Sequence, residues 1–344
     1  MLFFYNYLLH ILQVKYIINS INTKGVLKVK IAIYGVWHVH ASGYTREALE
    51  YGEVIGFYEE NDALAESFNK EFNLHRFATP EELLASEAEG VIVCSASSTH
   101  ADDMVKIANA KKHIFTEKVL ALTDEECERV EKAVNENGVK FVISLFWKYL
   151  SHIKTVKAVA ESGELGKLNF MRLRNAHSGS THNWLPEHFY NAEQCGGGAM
   201  IDLGAHGMYL THWFFGMPES ASSAFTVSCE DEAVTAKNKD KVEDNAVTVM
   251  KFASGAIAVN ETGFVSNHSS NVLEVYGENG YVRAENGRVY KCTDATDGEL
   301  VEAELCEASP KPIIQFLTDK IESGCGMEEA KVLTHMMVMA YSNK

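Results

Sequence analysis

Several signals that would classify a chain quickly are missing here. The seven cysteines are scattered from Cys94 to Cys325 without a C-x-x-C pair, which argues against a zinc ribbon or a disulfide frame. They read as free thiols in a reducing, cytoplasmic compartment. Positive charge is scarce: 31 Lys+Arg stand against 47 Asp+Glu, the net charge is −16, and the basic residues form no run longer than two. A nucleic-acid backbone or an anionic lipid surface needs clustered Lys/Arg, so neither is expected as the main partner. No G-x-S-x-G elbow is present to support a serine hydrolase. There are no internal repeats and no low-complexity linker.

No apolar run reaches the ~18 residues of a membrane span. Met1–Ile21 comes nearest, but Asn6, His10, Gln13 and Lys15 interrupt it. No basic stretch precedes it and no small-residue cleavage pattern follows. Residues 1–27 are therefore expected to be an N-terminal extension, from an over-extended start or as an added packing helix, and not an anchor.

The composition itself is that of a globular protein, with 46% hydrophobic and 23% charged residues over 344 positions, enough for about two domains. From residue 28 to 146 short apolar runs (Lys28–Tyr34, Val54–Tyr58, Gly90–Cys94, His113–Thr116, Lys140–Ser144) alternate with helical stretches. That rhythm predicts a doubly wound α/β domain around a parallel sheet. Beyond it, residues 147–344 open with an amphipathic helix, Tyr149–Ser162. A loop rich in His, Asn and Ser follows, up to Cys195, then a helix over Gly198–Phe215. Strand-like stretches from Ala224 to Lys291 are separated by turns such as Glu278-Asn-Gly280, and two helices (Lys311–Ser323, Met327–Tyr341) close the chain. This predicts a second α/β domain with an open, mostly antiparallel sheet, and a working cleft between the two.

The first strand ends at Gly35, where a dinucleotide fold holds its pyrophosphate. The G-x-G-x-x-G pattern needs glycines at 37 and 40, but Trp37 and His40 stand there. Glu59 closes the second strand, placed to accept both ribose hydroxyls of NAD, and Glu60 beside it would repel the 2′-phosphate of NADP. If the dinucleotide binds, the Trp37 side chain must turn away while its backbone N–H faces the phosphates, with His40 as an added donor to the anion. His38 and His40 suggest metal ligation, but in an extended loop their side chains would diverge, so no metal is expected.

Four motifs narrow the class: Cys94-Ser-Ala-Ser-Ser-Thr-His100, Thr116-Glu-Lys-Val-Leu-Ala-Leu-Thr123, Glu161-Ser-Gly-Glu-Leu-Gly166 and Gly196-Gly-Gly-Ala-Met-Ile-Asp-Leu-Gly-Ala-His206. Together, over residues 28 to about 342, they resemble the glucose–fructose oxidoreductase / inositol dehydrogenase (Gfo/Idh/MocA) family. The resemblance implies a Rossmann domain followed by an α/β domain, NAD(P)-dependent oxidoreduction of sugars, inositols or related polyols, and a homodimer or homotetramer. It implies catalytic roles for Lys118, Asp202 and His206, and cofactor contacts from Gly35, Trp37, His38, His40, Glu59, Ser95, Ser97, His100 and Glu117. Val119 and Ala96 stand where the family has prolines.

The chemistry of these residues suits alcohol oxidation. His206 as a neutral imidazole can take the hydroxyl proton, and Lys118 can stabilise the alkoxide. Asp202, one turn from His206 if the segment is helical, can orient a hydroxyl or assist the histidine. The Gly196–Gly198 triplet is expected to let a helix begin close to substrate or cofactor, and His177, His182, Trp184, His188 and Tyr190 to recognise polyhydroxylated rings. Two other readings stay open: a sugar- or dinucleotide-binding sensor without turnover, and an NAD-using glycosidase or eliminating enzyme.

Overall fold

The computed structural model describes residues 29–342, and the expectations for residues 1–27 fall outside them. Five parallel strands, β1 (Lys30–Tyr34), β2 (Glu53–Tyr58), β3 (Gly90–Val93), β4 (His113–Thr116) and β5 (Phe141–Ile143), lie in the order β2-β1-β3-β4-β5. Ile31, Ile33, Ile92 and Phe115 are wholly buried, because helices cover both faces of a parallel sheet. The helices are α1 (Ala41–Tyr51), α2 (Asp62–Phe72), α3 (Pro80–Ala85), α4 (His100–Asn109) and α5 (Asp124–Asn137).

Most of these helices start on local signals. Asn61 accepts from Leu64 N–H, Thr79 from Glu82 N–H ahead of Pro80, and Thr123 with Glu126 forms a capping box. α1 is different: His40 precedes it without a side-chain cap, and its first turn carries no acid. The strand order reverses between β1 and β3, which opens the ligand crevice at the carboxyl ends of those strands.

After α6 (Ser151–Glu161) the chain builds a second sheet. Its strands are β6 (Leu168–Ala176), β7 (Ser220–Thr226), β8 (Asn245–Lys251), β9 (Ile257–Gly263), β10 (Val272–Gly277), β11 (Gly280–Glu285), β12 (Arg288–Thr293) and β13 (Val301–Glu302). They lie in the order β13-β12-β11-β10-β6-β9-β8-β7, all pairs antiparallel except β6 with β9. α7 (Ala205–Phe215) packs on its inner face. On the outer face Arg172 and Arg174 pair with Glu261, Arg172 and Arg283 flank Glu274, and Val247, Val249 and Ile257 are exposed.

Three local expectations change. The helix expected from Gly198 is a π turn at Met200–Gly204 running into α7. The strand expected at Ala224–Cys229 lies at Ser220–Thr226, where Ala221 faces the core between exposed serines. The helix expected over Lys311–Ser323 shortens to α8 (Pro312–Thr318), and it returns to the first sheet. There Ile313, Phe316 and Leu317 join Ile31, Ile33 and Phe115 in one core, because the run Ile-Ile-Gln-Phe-Leu has an apolar face to bury. α9 (Met327–Ser342) ends the described chain and packs on α5, α7 and β7.

Candidate active site

Gly35 leaves β1 with φ +76°, and a Cβ there would stand 2.6 Å from the Ser95 backbone. Only glycine lets the β1–α1 loop pass this close to the turn after β3. Glu59, buried at the end of β2, accepts Val36 N–H at 2.7 Å and Asn61 N–H at 2.9 Å. The carboxylate expected to receive ribose thus also braces the loop, while each oxygen keeps a second lone pair.

A cavity of about 1010 Å³ extends from Tyr58, Glu59 and Lys106 to Trp37, Ser95 and Gln194. Trp37 does turn away from the loop, but it turns across the cleft. Its indole N–H donates to Gln194 Oε1 at 3.0 Å, and its ring stacks on Phe189 at 5.6 Å beside His188 at 4.7 Å. Beyond it, the space between Trp37, His38, Ser97, Lys118 and Asp202 narrows to about 20 Å³, room for little more than a single water.

The loop amides are largely engaged within the chain. His38 N–H reaches Cys94 O at 3.0 Å, Ala41 N–H reaches His38 O at 3.0 Å, and His40 N–H reaches His38 Nδ1 at 3.2 Å. His40 does not stand free as a donor to an anion; its Nδ1 lies 3.1 Å from Glu117 Oε2. Nor do the two histidines diverge. His40 adopts helical φ/ψ of −77° and −12°, the loop bends, and the rings meet edge-on at 4.7 Å. His100 is likewise not at the cofactor cleft: it is buried, with Nδ1 2.9 Å from Val119 O, fastening the turn after β4. Ser95 lines the large cavity and donates to Asp103 at 2.8 Å.

At the junction of the domains, buried Lys118 donates to Asp202 Oδ1 at 2.7 Å and to the Asp202 carbonyl at 2.9 Å. The Lys118–Val119 peptide is cis. Burial alone would raise the Asp202 pKa, but the ammonium overrides it and holds the carboxyl at about 2. His206 is buried against Trp147, the rings stacked at 4.7 Å, with Nδ1 2.8 Å from Tyr209 OH. Burial first, then Lys118, pushes it down to about 3, so the imidazole is neutral at physiological pH. Asp202 turns its carboxylate to Lys118, and it does so from a π turn where an α-helix was expected.

The glycine triplet serves the protein's own packing. A Cβ at Gly198 would lie 2.0 Å from Glu243 O, and one at Gly197 2.0 Å from Tyr341 OH. Glu243 Oε1 accepts Gly198 N–H at 2.9 Å, Met200 N–H at 3.1 Å and the Tyr341 hydroxyl at 2.6 Å. A carboxylate therefore fills the anion position at this helix start, the place expected for a ligand. The 175–195 loop also packs largely on itself. His177 stacks on Phe264 at 5.1 Å, Tyr190 and Ser180 share a hydrogen bond of 2.8 Å, and only His188 and Tyr190 of the five expected recognition residues line the large cavity.

Sequence reasoning missed Glu243, Gln194, Phe189 and Tyr44. Of these, Gln194 and Phe189 carried a signal, since both lie within the loop already singled out.

A GFO/IDH/MocA model described as an oxidoreductase family with an NAD-binding Rossmann fold matches residues 29–145. A second, the GFO/IDH/MocA C-terminal domain, matches residues 153–283. Among curated relatives, myo-inositol 2-dehydrogenase of Thermotoga maritima is 26% identical over 215 residues, 62% of this chain and 61% of the relative. Inositol 2-dehydrogenase of Rhizobium meliloti is 24% identical over 241 residues, 70% of each chain. The chain thus spans 61% of the length of the Thermotoga relative. The aldose-aldose oxidoreductase of Caulobacter crescentus, solved with glycerol, superposes with TM-score 0.75 at 17% identity, covering 92% of this chain and 97% of that one. At this identity the likeness speaks for the fold. Among the described residues no helix is long and apolar enough to cross a membrane.

Proposed function

Because the chain belongs to the GFO/IDH/MocA oxidoreductase family, we propose that it transfers a hydride between NAD and a secondary alcohol of a sugar, inositol or related polyol. The observation that carries this reading is the Lys118 ammonium, held 2.7 Å from Asp202 beside the neutral His206 at the mouth of the parallel sheet.

The residues fit the adenosine half of a dinucleotide. The cavity of about 1010 Å³, which Gly35 helps to line, has the volume of a cofactor cleft, and Glu59 with Glu60 disfavours a 2′-phosphate. Lys106, Lys237 and Lys239 line the same cavity, so NADPH is the necessary comparison. The nicotinamide half is narrow because Trp37 leans on Phe189, and its admission requires that pair to part. When bound, the dinucleotide supplies the hydride acceptor or donor.

The chain's own residues handle the proton and the oxygen. Tyr209 already accepts Trp147 N–H at 3.1 Å, and when it also accepts from His206 Nδ1–H, Nε2 is left as a base toward the substrate hydroxyl. With a pKa near 3, His206 is a weak base, so Lys118 must lower the energy of the alkoxide as it forms. Asp202 fixes the direction of the ammonium. Two copies associate through the outer face of the second sheet around Val247, Val249 and Ile257, since an open sheet needs cover.

Calorimetric titration with NADH and NADPH tests the reading: NADH should bind, and more tightly than NADPH. No binding of either at millimolar concentration would remove the enzyme. A second reading, a sugar-binding sensor without turnover, is favoured by the Trp37 wedge and the engaged loop amides.

A further inference from the structure

We propose that His38, His40 and Glu117 form a site for a divalent transition-metal ion of the zinc class. One ligand atom from each residue lies within 4.8 Å of the other two. One pair, His40 Nδ1 and Glu117 Oε2, stands 3.1 Å apart. Donors about 2.0–2.2 Å from one tetrahedral ion stand roughly 3.3 Å from each other, so a small movement brings all three onto a common centre. Two imidazoles and a carboxylate are the donor set of open, three-ligand zinc sites.

A second observation points the same way. Glu117 Oε1 is buried without a hydrogen-bond partner, its nearest cation being Lys118 Nζ at 4.0 Å. An ionised oxygen left alone in the interior is expensive, and in a native structure such an atom calls for an explanation. The other oxygen is held in place: Tyr44 donates its hydroxyl to Glu117 Oε2 and lies 2.7 Å from Ser144 Oγ. Carboxylate ligands of metals are oriented by such outer hydrogen bonds.

The site has an approach from solvent. His40 and Tyr44 also line a cavity of about 430 Å³ with Val39, Ser42, Phe146 and Lys311, separate from the dinucleotide cleft. That opening leaves room for water or an oxygen ligand in the remaining position. Ligation replaces the 3.1 Å hydrogen bond between His40 Nδ1 and Glu117 Oε2, and through His38 Nδ1 it would also replace the long 3.2 Å bond from His40 N–H. An ion here would lie beside Lys118 but does not depend on hydride transfer, so the inference stands or falls apart from the proposed reaction.

The test is titration of the chelator-stripped full chain with Co²⁺, read by its visible d–d absorption, with Zn²⁺ as competitor. One equivalent of Co²⁺ should bind with the strong bands of a low-coordinate site and be displaced by Zn²⁺. His40→Ala and Glu117→Gln should each weaken binding by well over tenfold. Tyr44→Phe, which keeps all three ligands, should weaken it by about tenfold through the loss of orientation. His40 is partly exposed, so its variant should fold, and circular dichroism checks this. Absence of Co²⁺ binding at millimolar concentration, or binding unchanged in both ligand variants, would overturn the site.

Discussion

Replacing Lys118 by Met should destabilise the protein by about 3 kcal/mol. The side chain is 2% exposed and Asp202 is 18% exposed, so the pair is sheltered from solvent. Removing one partner of a buried pair leaves an uncompensated charge, at about 3–5 kcal/mol. The Asp202 carboxyl gives an independent scale. Its pKa falls from 3.8 to about 2 against the opposing effect of burial, and at about 1.4 kcal/mol per unit this is roughly 2.5 kcal/mol. Glu117, one residue before, would also lose its neighbouring cation. Urea unfolding measures the loss, and a cycle with Asp202→Leu isolates the pair. The double variant Lys118→Met/Asp202→Leu should recover about 2 kcal/mol relative to the sum of the singles. The sign with pH follows from a folded pKa below the unfolded one. This stabilisation is present above pH 3.8 and is lost as pH falls toward about 2. Singles that each lose under about 1 kcal/mol and simply add would refute the account of a buried, coupled pair.

Three further outcomes are expected. Trp37→Gly should open the cleft beside Phe189 and tighten NADH binding by about tenfold in calorimetry, since each 1.4 kcal/mol is a decade; unchanged or weaker binding would deny Trp37 its part in closing the cleft. Glu243→Ala strands the Gly198 and Met200 amides and the Tyr341 hydroxyl, and should lower stability in urea by about 3 kcal/mol. Val249→Asp on the exposed sheet face should turn a dimer into a monomer in sedimentation, with the fold retained by circular dichroism.

How much the sequence disclosed depended on the range of the interactions involved. β4 was legible to the residue and β3 to within one, at Cys94, because Gly90–Val93 and His113–Thr116 are almost entirely buried and lie between clear breaks. β7 was misplaced because Ser-Ala-Ser-Ser-Ala-Phe-Thr has small polar residues on its open face and little apolar contrast. Lys118, Asp202 and His206 stood out through motif resemblance, yet the pairing of Lys118 with Asp202 spans 84 positions and had no local signature. Glu243 was invisible for the same reason: it reaches the glycine triplet from 45 residues away. His38 and His40 were misjudged because the loop was taken as extended. The bend at His40, and the return of Ala41 N–H to His38 O, place both rings on one side.

The most direct test of the account is net reduction of NAD by wild-type protein over a panel of inositols, aldoses and related polyols, followed by absorbance of the reduced nicotinamide. The account predicts turnover on at least one polyol, reduced by about two orders of magnitude or more in Lys118→Ala and in His206→Ala, with NADH affinity changed far less. Binding of NADH without net reduction by any polyol, or both variants turning over at the wild-type rate, would contradict it.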